Sequence, residues 1–432
     1  MSQDLFANAK IETLALHAGQ PVDSDTASRG VPVYRTAAYL FKNTEHAANL
    51  FALKELGNIY TRLMNPTQDV LEKRIAALEG GAAALAVASG TSAIFYAVIN
   101  IAKGGDHIVS ANNLYGGTYT QFNDILPHYG INTTFVDPKD PANFEKAITP
   151  KTRLLFVETI GNPALDVTDI EAVAKIAKKH KIPLVVDSTF TTPYLLKPLE
   201  LGADIVVHSL TKWIGGHGTA IGGIIVDSGK FDWSDPKFDL YHLPEGSYHG
   251  LRFGHDLGGL QPLAYILRAR LVPLRNLGAA ISPDNAWIIL QGVETLALRL
   301  ARHSENALQV AEHLQKHPKV SWVRYPGLPS DPSYPVASRL LKKGFGGMVV
   351  FGIKGGEPAG RKFIEALKIF SHLANVGDAK SLAIHPWSTT HSQLSEADKL
   401  AGGISPDLIR LSVGIEHIDD IKADLDQALA QA

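Results

Sequence analysis

Between residues 83 and 226 the chain repeats one pattern, a short apolar run followed by a helix-period stretch. After an alanine-rich run at 83–88, apolar runs recur at 107–110, 134–136, 154–157, 183–186, 205–207 and 223–226, with predicted helices at 93–102 and 169–181. Runs so short and so uniformly apolar are strands covered on both faces, which demands a mostly parallel sheet flanked by helices. In an open α/β sheet, active groups gather in the loops beyond the carboxyl ends of the strands. A polar residue directly after one of these runs is therefore a candidate for chemistry.

The remainder of the chain departs from that pattern. Turn signals at 19–21, 29–32 and 65–67 predict an irregular N-terminal arm over residues 1–67 that lies on another surface. Val70, Leu71, Ile75 and Leu78 mark the first amphipathic helix of a large domain, 68–284. Residues 229–262, rich in Gly, His and aromatics, read as a long excursion near the site mouth or at a subunit contact. A helical stretch at 285–317 leads into a smaller α/β domain, 285–432, with strands around 322–324, 348–351 and 408–413 and helices near 360–368 and 418–429. With 432 residues the chain is long enough for both domains. The charge of −2 comes from evenly mixed signs, which gives no reason to expect a nucleic acid. The absence of cysteine excludes disulfides, thiolate metal sites and thiol nucleophiles. The first ten residues are polar, and no apolar run nears the ~20 residues of a spanning helix, so a cytoplasmic, soluble protein is expected.

The candidates fall where the strand rule puts them. Lys212 follows the run at 205–207 within Ser209-Leu210-Thr211-Lys212. An apolar setting lowers an amine's pKa and makes it a nucleophile toward an aldehyde cofactor such as pyridoxal 5'-phosphate (PLP). Alone, it also reads as a surface lysine. Asp187 ends the run at 183–186, where a carboxylate suits a protonated ring nitrogen and an N-cap is the plainer role. Ser89, Gly90 and Thr91 open the predicted helix at 93, so their backbone N–H groups could hold a phosphate, with Ser209 and Thr211 as further donors. Tyr60 and Arg62, two apart in the arm, could converge on the same phosphate. Tyr115, before Gly116-Gly117, could lie flat over a planar ring, and Asn162 could donate to a phenolic oxygen. Arg410 stands in the apolar strand at 408–413 and needs an anion, either a substrate carboxylate or a structural acid. The histidines show no zinc-ligand spacing, so no metal is expected, and His217, His385 and His391 read as ordinary polar contacts.

Taken in order, Tyr60-Thr61-Arg62, Ser89-Gly90-Thr91-Ser92, Tyr115-Gly116-Gly117, Glu158-Thr159 with Asn162-Pro163, Val186-Asp187 and Ser209-Leu210-Thr211-Lys212 resemble the Cys/Met-metabolism PLP enzymes. The match continues through 377–382, His385-Pro386 and Arg410-Leu411-Ser412-Val413-Gly414-Ile415-Glu416. The resemblance implies a fold type I PLP-dependent transferase and a homotetramer built from dimers, with Tyr60 and Arg62 reaching a neighbouring subunit's phosphate. It also implies a carboxylate site at Arg410 and Ser381, and catalytic roles for Lys212, Tyr115 and Asp187. Chain length, the 229–262 excursion and the segment 388–394 resemble the sulfhydrylase branch. That branch implies γ-replacement on O-acetyl-L-homoserine by sulfide or methanethiol. Cystathionine γ-synthase, cystathionine or methionine γ-lyase, and O-succinylhomoserine chemistry remain the alternatives.

Overall fold

The computed structural model describes residues 6, 8–390, 392, 395–401 and 403–432. His391 and most of the leading segment thus lie outside the described residues. The alternation predicted from the sequence forms β1 (Ala83–Val87), β2 (His107–Ala111), β3 (Asn132–Val136), β4 (Thr152–Glu158), β5 (Leu184–Asp187), β6 (Ile205–Ser209) and β7 (Gly223–Asp227). These make a seven-stranded sheet in the order β1-β7-β6-β5-β4-β2-β3. Only β7 runs against its neighbours β1 and β6; the other pairings are parallel. The carboxyl ends of β1, β2, β4, β5 and β6 therefore share one edge. The central strands β4 to β6 are buried almost throughout, whereas the edge strand β3 keeps part of its length exposed.

Local polar groups decide where the helices begin. The helix Gly90–Ile99 starts three residues before the sequence expectation, because the Ser89 hydroxyl accepts the backbone N–H of Ser92 at 3.1 Å. Asp169 caps Ile170–Lys179 in the same way through Ala172. The predicted 285–317 helix is two, Pro283–Glu294 and Leu296–Lys316, broken at Thr295.

Two expectations are corrected. The arm is not irregular throughout: Ile11–His17 is a helix that buries Ile11, Leu14 and Ala15 in the main core. Beyond it the arm is largely exposed, with Leu40 98% accessible. The 229–262 excursion is not at the site mouth. It leaves from the carboxyl end of the antiparallel strand β7, so it starts at the opposite edge of the sheet. There Trp233 stacks on Tyr241 and Tyr265 at 4.4 and 5.2 Å, and Asn100 Nδ2 donates to the Tyr241 hydroxyl at 2.8 Å. Its tip meets the arm, where the Tyr248 hydroxyl donates to Phe51 O.

The second sheet contains β8 (Val320–Arg324), β9 (Met348–Ile353), β10 (Ser371–His372), β11 (Leu382–Ile384) and β12 (Leu408–Ser412), in the order β10-β11-β12-β9-β8. Its own core gathers Val310, Leu314, Phe351, Phe363, Ile409, Leu411 and Leu425. The main core does not end at the boundary expected at 285: it takes in Leu296 and Leu300 and, from the second sheet and its surroundings, Ala337, Leu341, Met348, Val350 and Leu408. Among the described residues no helix is long and apolar enough to cross a membrane.

Asp204 and Asp227 lie at the sheet edge away from the site, and burial pushes them up to about 6 and about 7. Each accepts a backbone N–H, Asp204 from Leu184 and Asp227 from Gly229, both at 2.9 Å. The folded chain therefore keeps protons that the unfolded chain, with its ordinary value of 3.8, has released. Stability falls as pH rises from about 4 to about 7. Asp227→Asn keeps the Gly229 acceptor and cannot ionise. Urea unfolding should show it more stable than the parent by a margin that grows with pH toward ~2–4 kcal/mol near pH 7.5. A margin equal at pH 5 and pH 7.5 contradicts this origin.

Candidate active site

The shared edge of the large sheet and the second sheet bound a cavity that is partly open to solvent. Ser89, Gly90, Thr91, Tyr115, Asn162, Asp187, Ser209, Thr211, Lys212 and Arg410 all line it. Each of those from the large sheet follows or ends a strand, as the topology requires.

The end nearest β1 is built to hold an anion. Gly90 and Thr91 open a ten-residue helix, and its first N–H groups face outward with the positive end of the helix dipole. Only glycine fits at position 90, since a Cβ there would stand 2.6 Å from Ser209 Cβ and 2.9 Å from Ser209 Cα. The close approach brings Ser209 beside the helix end. Thr211 is oriented by Gly222, whose N–H its hydroxyl accepts at 3.1 Å and whose carbonyl it contacts at 3.2 Å.

Lys212 lies deeper. Its Nζ donates to Asn375 Oδ1 at 2.5 Å, and burial, then the nearby Arg410 charge, pushes its amine down to about 8. Nothing in the sequence around Asn375 marks it for this contact. It reaches Lys212 because Gly377, with φ of 80°, lets the chain pack against the Trp213 amide, where a Cβ would come within 2.6 Å. The loop after Lys212 is fixed by Arg299, which donates to Trp213 O at 2.7 Å and Ile214 O at 3.0 Å. One helical turn on, His303 Nδ1 contacts Val413 O at 2.7 Å, just past β12. Burial lowers His303 to about 4, so it is neutral and Nδ1–H is the donor.

Arg410 is 9% exposed and burial lowers it to about 10. Its hydrogen bond among the described residues goes to Asn162 Oδ1 at 3.1 Å, and no carboxylate pairs with it. Asp187 and Glu158 are neighbours in the β4–β5 register, and both line the cavity. Burial raises both carboxyls, Glu158 further because Asp187 adds to the effect. Thr189 N donates to Asp187 Oδ1 at 2.9 Å, and Tyr115 N donates to Glu158 Oε1 at 2.7 Å.

Three predicted residues are not in the cavity. Tyr60 and Arg62 sit on the arm, the guanidinium 5.3 Å from the ring centroid, with Tyr60 42% exposed. Ser381 is buried, its hydroxyl donating to Glu416 Oε2 at 2.9 Å and accepting from Gly414 N at 2.8 Å. His217 and His385 make ordinary contacts with Gly215, and with Ser388 and Pro406.

The residues present fit PLP on three counts, and a fourth fits an amino acid substrate. A helix end with two flanking hydroxyls suits its phosphate, and a carboxyl pair with no lysine or arginine partner among the described residues suits its ring nitrogen. A softened amine suits its aldehyde, and Arg410 without a carboxylate suits the substrate. A family model described as Cys/Met metabolism PLP-dependent enzyme matches residues 12–430. The chain is 58% identical over 428 residues to an O-acetyl-L-homoserine sulfhydrylase of Leptospira meyeri, covering 98% of this chain and 97% of the relative. It is 52% identical over 424 residues to a homocysteine synthase of Schizosaccharomyces pombe, covering 98% of each. A crystal structure of a putative O-acetylhomoserine (thiol)-lyase from Campylobacter jejuni, with a pyridoxyl-lysine-phosphate in the chain, superposes with TM-score 0.94 at 42% identity. That match covers 98% of this chain and 100% of the other.

Gly90→Ala tests the anion end. Overpacking against Ser209 should cost about 1–3 kcal/mol in denaturant unfolding and weaken PLP binding by tenfold or more. Unchanged affinity in a folded variant would count against this cradle.

Proposed function

The chain belongs to the Cys/Met metabolism PLP-dependent enzyme family, and we propose that it catalyses γ-replacement on O-acetyl-L-homoserine with sulfide as acceptor, giving L-homocysteine and acetate. Methanethiol in place of sulfide gives L-methionine. The observation that carries the reading is a softened Lys212 and a carboxylate-free Arg410 in one cavity. Relatives named for this activity over nearly the full chain support it and do not favour the cystathionine, lyase or succinyl alternatives.

PLP, when bound, supplies an electron sink that stabilises negative charge at the amino acid's Cα and Cβ while acetate leaves Cγ. The chain's residues do the rest. Gly90, Thr91, Ser209 and Thr211 anchor the phosphate, and Asp187 holds the ring nitrogen's proton. Arg410 would clamp the substrate carboxylate within the cavity that Lys212 also lines. The Lys212 amine, at about 8, is neutral in a useful fraction near pH 7 and moves protons at Cα and Cβ. Tyr115, at the half-open mouth, covers the ring and assists proton transfer to the leaving group or from the thiol.

The same reading divides the chain into an arm (1–67), a cofactor domain (68–284) and a small domain (285–432), in a cytoplasmic homotetramer. Exposed Leu40, Phe41, Phe51 and Leu56 support a second copy on the arm, with Tyr60 and Arg62 directed at that copy's phosphate. Ser381 supports the carboxylate site through Glu416 and Gly414.

Purified protein with O-acetyl-L-homoserine should release homocysteine with sulfide and little cystathionine with cysteine. Cystathionine as the main product overturns the assignment. Lys212→Ala should fold and abolish turnover, while Arg410→Lys should raise KM at least tenfold for loss of the bidentate clamp, with a smaller change in kcat. Borohydride-trapped incorporation of PLP into the apoprotein should speed up with pH and level off near about 8, as the lowered amine loses its proton.

A further inference from the structure

Glu158 has no task in the reaction above, yet its position is costly. It ends β4 in register with Asp187, the end of β5, so parallel strands set the two residues side by side, and both line the same cavity. They are 6% and 9% exposed and neither is paired with a lysine or arginine among the described residues. Two adjacent anions in so dry a place cannot both persist, and one proton held between them removes most of the repulsion. Asp187 is the better anion, since it receives hydrogen bonds from the Thr189 amide and hydroxyl. Glu158 receives the Tyr115 amide on Oε1, which leaves Oε2 to carry the proton. His208 on β6 bears on Asp187, and its ring is taken up by the buried Glu79 at 2.6 Å. The other charged groups lining the cavity are Lys212 and Arg410.

We propose that Glu158 is a neutral positioning residue that shares its proton with Asp187, fixing at once the Asp187 carboxylate and the loop that carries Tyr115 around the cofactor ring. This rests on the reading of the cavity as a PLP site. The local pairing supports it: Lys212 and Arg410 are bonded to Asn375 and Asn162 and not to either carboxyl, so beside the ring nitrogen one proton-bearing cation is matched by one anion, and a second anion there would have no partner.

The test compares Glu158→Gln and Glu158→Ala as holoenzymes. Glutamine keeps the acceptor for Tyr115 N, keeps a donor toward Asp187 and carries no charge. It should hold PLP within about threefold of the parent affinity, with the pH midpoint of the bound cofactor's visible absorbance moved by less than about half a unit. Alanine leaves the Tyr115 amide without its acceptor and Asp187 without its donor, so PLP affinity should fall about tenfold or more. If glutamine shifts that midpoint by a full unit or loses PLP as alanine does, Glu158 acts as an anion and the proposal is wrong. Parent-like affinity in both variants also overturns it, and where alanine does not fold the glutamine spectrum decides alone. These readouts need no substrate. A parent enzyme that binds PLP normally but makes no homocysteine sinks the proposed reaction and leaves this comparison intact.

Discussion

Lys212, Arg410, Asp187 and Glu158 are drawn into one cavity with no counter-ion from the chain among the described residues. Burying an ionisable group without a partner costs several kcal/mol, and here the opposite signs stand at different walls instead of neutralising one another. Burial moves every one of these groups toward its neutral form. The unliganded cavity is thus in electrostatic tension, and a ligand carrying a phosphate, a protonated ring and a carboxylate relieves it. Affinity and chemistry share this origin, because the conditions that strengthen ligand pairing also soften the lysine.

The sheet produces that tension. Parallel strands deliver the ends of β1, β2, β4, β5 and β6 to one edge, and a fully buried sheet admits polar residues only where the strands stop. β7 runs the other way, so its buried acid Asp227 ends at the opposite edge with Asp204, where raised carboxyls serve no visible chemistry. A displaced pKa is therefore a poor guide to function by itself. Position relative to the strand ends separates the two acid pairs.

What could be read from the sequence follows the same logic. Lys212, Asp187, Tyr115, Asn162 and the turn at Ser89 each lie just beyond or at the end of an apolar run, so period and order sufficed to place them. Arg410 was visible as a charge out of keeping with its strand. Asn375 carried no such mark: it reaches Lys212 only through the left-handed turn at Gly377, across 163 residues of chain. Glu158 was in view as a strand end, but its pairing with Asp187 depends on strand order, which local pattern does not encode. The helix Ile11–His17 is hard to read from the sequence because it is short and takes its burial from a distant partner, not from its own period. The direction of β7 was equally hidden, and with it the placement of the aromatic excursion.

The helix Leu296–Lys316 presents Arg299 to the loop behind Lys212 and, one turn later, His303 to the chain end of β12 just past Arg410. One helix thereby grips both walls of the cavity, through residues four apart on the same face. The separation of those walls is tied to a regular, largely buried element and not to the loops that carry Lys212 and Arg410's neighbours.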